Sequence, residues 1–340
     1  MLIRIPNWLG DAVMATASIR HYCRMNPADR ITLVGVPQTL PVYLHYPEIE
    51  QLIEFDYKGK HIGFAGLFHT GIQLRKQQFD KSYLLTNSFS SALLFSIADI
   101  PERIGYAGQL RNWLLTEKVC PGNNGHHQVE KYAYLLDRTI PSSLKTEIIV
   151  LHEELDEASG LLQREGIHGT PLIGIAMGAA YGPSKRWSAR RFGILAGKLS
   201  EQLGAGTVFL GSKADQEISE DSEAAAGGAA VNLTGRTSLR QLFAILKHCS
   251  LVICNDSGIM HSANALGIPV LAIFGPTLAK ETSPYGPNAR ILQKALPCSP
   301  CHKRICPLGH HECMESITVD EVLQTAIGML AEQTSRAQGE

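Results

Sequence analysis

Four loops of this chain carry residue types able to handle a phosphate or a sugar hydroxyl. In "GAAYGPSKRWSARR", residues 178 to 191, Lys185, Arg186, Arg190 and Arg191 crowd the start of a helix-like stretch. Cations there oppose the helix dipole, which favours negative charge at that end, so an anion is needed to offset them. Gly182 and Pro183 make the turn before Lys185. A lysine so placed can reach a phosphate as a point charge, while backbone N–H groups at the helix start hold other oxygens. A solvated basic turn is the plainer reading, and it suits Arg190 and Arg191, which fall inside the helix.

The most specific loop is "CNDSGIMHSANALGIP". Asn255, Asp256, Ser257 and Gly258 separate an apolar run from a helix that carries His261. Small residues let backbone donors approach a diphosphate closely, and Gly258 removes the side chain that would obstruct them. A polar helix cap explains Asp256 and Ser257 but has no use for His261. The following "FGPT" brings Thr277 to the same edge. In "VFLGSKADQE", Asp215 and Glu217 compete as acceptors for ribose hydroxyls, although acidic first turns also arise from the helix dipole alone. In "PNWLGDAVMA", Gly10 and Asp11 mark a turn into a helix, and Asp11 reads either as a cap or as a base. None of these loops has the G-x-G-x-x-G dinucleotide fingerprint or the Walker pattern.

These loops need elements that bring them to one edge. Apolar runs "LIRI", "ITLVGV", "LIEF" and "SYLLT" alternate with segments of helical spacing in the first half. The second half repeats the rhythm with "LIGIAM", "GTVFLG", "AVNLTG", "LVICND" and "PVLAIFG". Strands separated by helices predict parallel sheets covered on both faces, an α/β class of doubly wound units in series. Ligands of such sheets bind at the carboxyl ends of strands, where all four loops fall. The join is least patterned over 139 to 170, which holds a proline-serine turn, a strand and a charged helix. The boundary is placed so that residues 1–164 form one domain and 165–340 the other.

A length of 340 residues suits two domains, and 44% hydrophobic with 19% charged residues describes an ordinary globular protein. A net charge of -1 gives no broad basic face for nucleic acid. The N-terminal stretch lacks a basic segment followed by an apolar core, and no apolar run approaches the roughly 20 residues of a membrane span, so a cytoplasmic chain is expected.

Taken in order, "PNWLGDAVMA", "GAAYGPSKRW", "GSKADQE", "LTGRTSL", "NDSGIMHSANALGIP" and "FGPT" resemble the bacterial heptosyltransferases of glycosyltransferase family 9, from residue 3 to about 280. The resemblance implies a GT-B fold, two Rossmann-like domains facing a central cleft, with the last helix, about 318–330, crossing back to the first domain. It implies inverting transfer of heptose from ADP-L-glycero-β-D-manno-heptose to a heptose of the lipopolysaccharide inner core, at most with peripheral contact at the cytoplasmic face of the inner membrane. Asp11 matches the family's general base, and Lys185 the cation that neutralises the departing diphosphate. Gly178, Tyr181, Glu217, Asp256, Ser257, Gly258, His261 and Thr277 fall at donor-binding positions, and Gly10, Arg103 and Arg111 are candidate acceptor contacts. No D-x-D triplet occurs, which fits a family that needs no cofactor for catalysis. Some relatives carry hydroxyl residues four and five positions before the lysine, where this chain has Tyr181 and Ala180. Two alternatives stay open: a transferase using another nucleotide sugar, and a metal-stabilised nucleotide-binding protein without transferase activity.

The metal in that last alternative comes from "CSPCHKRICPLGHHEC". Cys298, Cys301, Cys306 and Cys313 lie within one short loop and suit a structural zinc shell, a disulfide or thiol switch, or unliganded packing.

Overall fold

The computed structural model describes residues 1–120, 126–168 and 170–339. The chain divides into two compact units, Met1–Ile149 and Val150–Glu340. Unit one holds a parallel sheet of β1 (Leu2–Arg4), β2 (Ile31–Gly35), β3 (Ile49–Glu54), β4 (Lys81–Leu84), β5 (Glu102–Tyr106) and β6 (Glu117–Val119), in the order β3-β2-β1-β4-β5-β6. Unit two holds β7 (Leu172–Ala176), β8 (Gly206–Phe209), β9 (Val231–Asn232), β10 (Leu251–Asn255), β11 (Val270–Phe274) and β12 (Ala289–Gln293), all parallel, in the order β12-β11-β10-β7-β8-β9. Counted from its own first strand, each sheet runs 3-2-1-4-5-6. That is the doubly wound order in which the winding reverses between the first and fourth strands, leaving a crevice at their carboxyl ends.

The central strands are apolar on both faces because helices cover both. β1, β10 and β11 are buried along their whole length. The core of unit one gathers Leu2, Val34, Phe55, Leu84 and Phe95, and that of unit two gathers Ile173, Trp187, Phe192, Phe209, Ile253 and Ile273. Val322, Leu323, Ala326 and Met329 of the closing helix, Val319–Gly339, belong to the core of unit two. This packing accounts for the apolar stripe of that helix.

The division falls about fifteen residues before the boundary expected at 164/165. The charged helix His152–Arg164 belongs with unit two because it packs on Leu239–His248, where Arg240 Nε donates to Glu154 at 2.7 Å and His248 Nε2 meets the Leu155 carbonyl at 3.0 Å. The strand expected in the join is absent: residues 145–149 run as an irregular strap on unit one, with the Glu147 amide donating to Thr16 Oγ1 at 3.1 Å. Among the described residues, no helix is long and apolar enough to cross a membrane.

Candidate active site

In unit one, the loops leaving the adjacent strands β1 and β4 wall a cavity of about 760 Å³. Its lining includes Asn7, Trp8 and Asp11 after β1, Thr86, Asn87 and Ser88 after β4, Tyr106 at the end of β5 with Ala107 and Gln109 after it, and Gln128, Lys131, Tyr132 and Tyr134 from the helix Gln128–Asp137. This is the crevice at the switch point of the first sheet, and its volume suits an oligosaccharide-sized ligand.

Asp11 sits in the first turn of the helix Leu9–Met25, partly exposed at the cavity wall. The Tyr132 hydroxyl donates to its Oδ1 at 2.9 Å. Tyr43, also buried, donates to the Ala12 carbonyl at 2.7 Å. Burial, with a smaller contribution from the nearby Asp11 charge, pushes both phenols well above the ordinary tyrosine range. They therefore stay protonated, Tyr132 as a donor to Asp11 and Tyr43 as a donor to the neighbouring Ala12 carbonyl. Asp11 is thus more than a helix cap: one of its oxygens is fixed from inside the protein.

The other expected contacts in this unit divide. Gly10 lies in the same first turn but not among the lining residues. Arg103 is not at the cavity either; its Nε donates to the Leu114 carbonyl at 2.8 Å and its Nη1 to the Ile100 carbonyl, stapling β5 to the segments before and after it. Arg111 is buried, at 1% exposure, so it cannot touch a sugar directly. Its guanidinium donates to the carbonyls of Tyr106 and Thr86 and, through Nη2, to Asn87 Oδ1 at 2.8 Å. Tyr132, Asn7 and Asn87 were missed by sequence reasoning. Tyr132 lies on the buried stripe of an amphipathic helix, where an aromatic reads as core.

In unit two, the loops after β7 and β10 meet at the equivalent crevice. Lys185 ends the short helical turn Pro183–Lys185, and its ammonium pairs with the Asp256 carboxylate. Both side chains are nearly buried, at 11% and 6% exposure. Thr277 Oγ1, arriving after β11, donates to the same Asp256 oxygen at 2.6 Å. Lys185 Nζ also lies 4.8 Å from the centre of the Tyr181 ring, a cation–π contact that Arg304 repeats at 5.4 Å. Asn255 joins the two loops: its amide donates to the Met177 carbonyl at 2.7 Å and accepts the Trp187 N–H at 3.0 Å.

The structure thus brings Lys185, Asp256, Thr277 and Tyr181 together. The Asp256 carboxylate holds the lysine. Ser257 precedes the helix Gly258–Ala265, and its Oγ is buried without a partner among the described residues. The free N–H groups of that helix start, which Gly258 opens, are what an anion can use. His261 is buried within the helix.

At Gly178, a Cβ would lie 2.5 Å from the Asp215 carboxylate, so any larger residue there would push that side chain aside. Asp215 caps its own turn, accepting from Ser212 N at 3.0 Å and Ser212 Oγ at 2.6 Å. That occupation leaves exposed Glu217, in the first turn of Gln216–Ala226, as the carboxylate open to a hydroxyl.

The cysteine-rich loop is packed onto the lysine turn. The Tyr181 hydroxyl donates to the His302 carbonyl at 2.7 Å, Ser184 Oγ to the Lys303 carbonyl at 2.5 Å and the Ser184 amide to the Arg304 carbonyl at 3.1 Å. His311 Nε2 approaches the Ser184 carbonyl at 2.7 Å. At Gly182, with φ of 155°, a Cβ would meet the Arg304 carbonyl at 2.6 Å. The cysteines of this loop are free thiols. Among the described residues, no three His, Cys, Asp or Glu side chains are grouped so as to hold a metal ion. The Cys306 thiol is held below its ordinary range by backbone N–H groups, that of His311 foremost, whereas burial pushes Cys313 up.

The family model described as glycosyltransferase family 9 (heptosyltransferase) matches residues 68–312 of this chain. Lipopolysaccharide heptosyltransferase 2 of Salmonella typhimurium is 28% identical, over 98% of this chain and 99% of its own length. Among solved structures, the Escherichia coli ADP-heptose LPS heptosyltransferase II superposes with a TM-score of 0.84 at 28% identity, covering 98% of this chain and 99% of that one. A family 9 glycosyl transferase from Veillonella parvula gives 0.84 at 25% identity, covering 97% of each chain.

Proposed function

Since the chain belongs to glycosyltransferase family 9, with the α/β GT-B fold of its structural relatives, we propose that this heptosyltransferase moves heptose from ADP-L-glycero-β-D-manno-heptose to a heptose of the lipopolysaccharide inner core, with inversion at the anomeric carbon. The acceptor binds in the cavity of unit one and the donor at the carboxyl edge of the sheet in unit two. The observation that carries this reading is the chemistry at the two switch points. One presents a carboxylate fixed by Tyr132, and the other an ammonium fixed by Asp256 beside a helix N-terminus.

As the acceptor oxygen attacks the anomeric carbon, its proton passes to Asp11. The bond from that carbon to the β-phosphate oxygen breaks, and its electron pair leaves with ADP. Lys185 neutralises the charge so formed, and the N–H groups at the start of Gly258–Ala265 hold diphosphate oxygens. In the absence of donor, Asp256 keeps the lysine paired and aimed. A diphosphate brings more negative charge than one carboxylate and draws the ammonium toward itself. The cation and dipoles are then in place before charge develops, which is what electrostatic preorganisation requires.

Asp11→Asn keeps the shape of the side chain and removes the base. It is expected to lower kcat by about 100- to 10,000-fold, the span of general-base contributions, with ADP affinity unchanged. Lys185→Ala is expected to cost about 100-fold or more in kcat, as loss of a charge-stabilising donor does. Radiolabelled heptose transfer together with ADP titration checks both. Full turnover by Asp11→Asn removes the proposed base.

A further inference from the structure

Behind the cavity of unit one lie two guanidinium groups that no carboxylate neutralises. Arg4 and Arg111 are each 1% exposed, and neither has an ion-pair partner among the described residues. Burying a charge costs several kcal/mol, and such groups are normally paired. Arg4 Nη1 donates to the carbonyls of Ile5 at 2.9 Å and Val34 at 3.2 Å, and its Nε is left without a partner. Burial pushes both guanidinium groups down to about 10, so both remain cations at neutral pH.

Each of these cations then spends one N–H on an asparagine of the cavity wall. Arg4 Nη2 donates to Asn7 Oδ1 at 2.6 Å, and Arg111 Nη2 to Asn87 Oδ1 at 2.8 Å. Only the oxygen of an amide can accept from a guanidinium, so these bonds fix which way each amide is turned. The Nδ2 group of each asparagine is left as a donor without a partner among the described residues, on a side chain that lines the cavity. Arg4 and Leu84 are register partners on the neighbouring strands β1 and β4, and the two asparagines stand three residues beyond them. The two loops therefore leave neighbouring strands in step, and both amides line the same cavity.

We propose that this pair of amides, aimed and polarised by buried Arg4 and Arg111, seats an anionic group of the acceptor, a carboxylate or a phosphate. The proposal rests on the reading above, in which the cavity holds the acceptor. Amide donors backed by cations favour an anionic ligand over a hydroxyl, because the field behind them remains uncompensated until negative charge arrives. The carboxylates of the cavity do not fill that role: Asp11 is held by Tyr132, and Glu130 accepts from the His127 amide at 3.0 Å and meets His126 Nδ1 at 3.1 Å. Arg4 and Arg111 are positioning residues, since they act through Asn7 and Asn87. This also explains why an arginine expected at the acceptor is found inside the protein.

The test replaces the amides by carboxylates of the same shape. Asn7→Asp and Asn87→Asp each give the arginine an ion-pair partner while removing the Nδ2 donor and adding negative charge at the wall. Calorimetric binding, without donor, uses a heptose-terminated inner-core oligosaccharide in three forms: native, with carboxyl groups reduced to alcohols, and dephosphorylated. Wild type is expected to bind one neutralised form about tenfold or more weaker than the native one, a difference of about 1.4 kcal/mol, and that form identifies the anion. Both variants should keep or raise the melting temperature, bind the native form about tenfold weaker, and no longer discriminate. The proposal falls if wild type binds all three forms equally, if it binds none, or if the variants still discriminate. The transferase reading falls separately, on failure of wild type to use ADP-heptose.

Discussion

At the scale of residues, the least expected feature is that reactive groups are held by partners of opposite character. Asp11 is fixed by a neutral phenol and Lys185 by a carboxylate. Tyr132→Phe leaves packing intact and removes the hydroxyl that donates to Asp11 Oδ1. A hydrogen bond to a charged group is worth about 1.5–3 kcal/mol, so kcat is expected to fall about ten- to a hundredfold with donor KM unchanged. Steady-state kinetics with each substrate varied in turn checks this; an unchanged kcat would mean that the phenol is only packing. The raised pKa of Tyr43 and Tyr132 has a second consequence. The folded state binds these protons more tightly than the unfolded chain, so the stabilisation is complete below about pH 10, the ordinary tyrosine value, and is lost as pH rises beyond it. Melting temperatures measured upward from neutral pH should begin to fall there, less steeply in Tyr132→Phe.

At the scale of elements, the strands legible in the sequence were mostly those buried on both faces, such as "LVICN" and "VLAIF", although the partly buried edge strands β3 and β9 were legible too. Three others lay outside the expectation. β6 and β12 close the edges of their sheets and β5 runs beside β6. "ERIGY", "EKV" and "ARILQ" keep charged side chains exposed, because strands near an edge need no continuous apolar run. The reactive loops were legible because turn residues and charges stand out against such strands. Asn7, Asn87 and Tyr132 were not, since only tertiary partners give them a task. Gly193 is similar: inside the helix Ala189–Leu203 it reads as a flaw, yet a Cβ there would lie 2.1 Å from the Ser222 carbonyl of Gln216–Ala226. Gly193→Ala is expected to destabilise unit two by about 1–3 kcal/mol through overpacking, measured by urea denaturation.

At the scale of the whole molecule, each unit has its own sheet and core, and the proposed ligands are assigned one to each. Binding that favours the native state stabilises what it binds, by about 2.7 kcal/mol at a hundredfold excess over Kd. In calorimetry or thermal shift, ADP is therefore expected to raise the melting of Val150–Glu340, with UDP and GDP giving smaller shifts. A larger shift with UDP would replace heptose by another sugar while leaving the fold unchanged. The division at Ile149 and Val150 was not visible in composition, because the helix His152–Arg164 is as charged as a linker.

The strap of cysteines touches the lysine turn mainly through the carbonyls of His302, Lys303 and Arg304. Main-chain oxygens are common to every amino acid, so the spelling of this segment is free to drift while its path is not. A missing or added residue would slide all three anchors out of step at once. Evolution is thereby left tolerant of exchange at these positions and intolerant of a change in length.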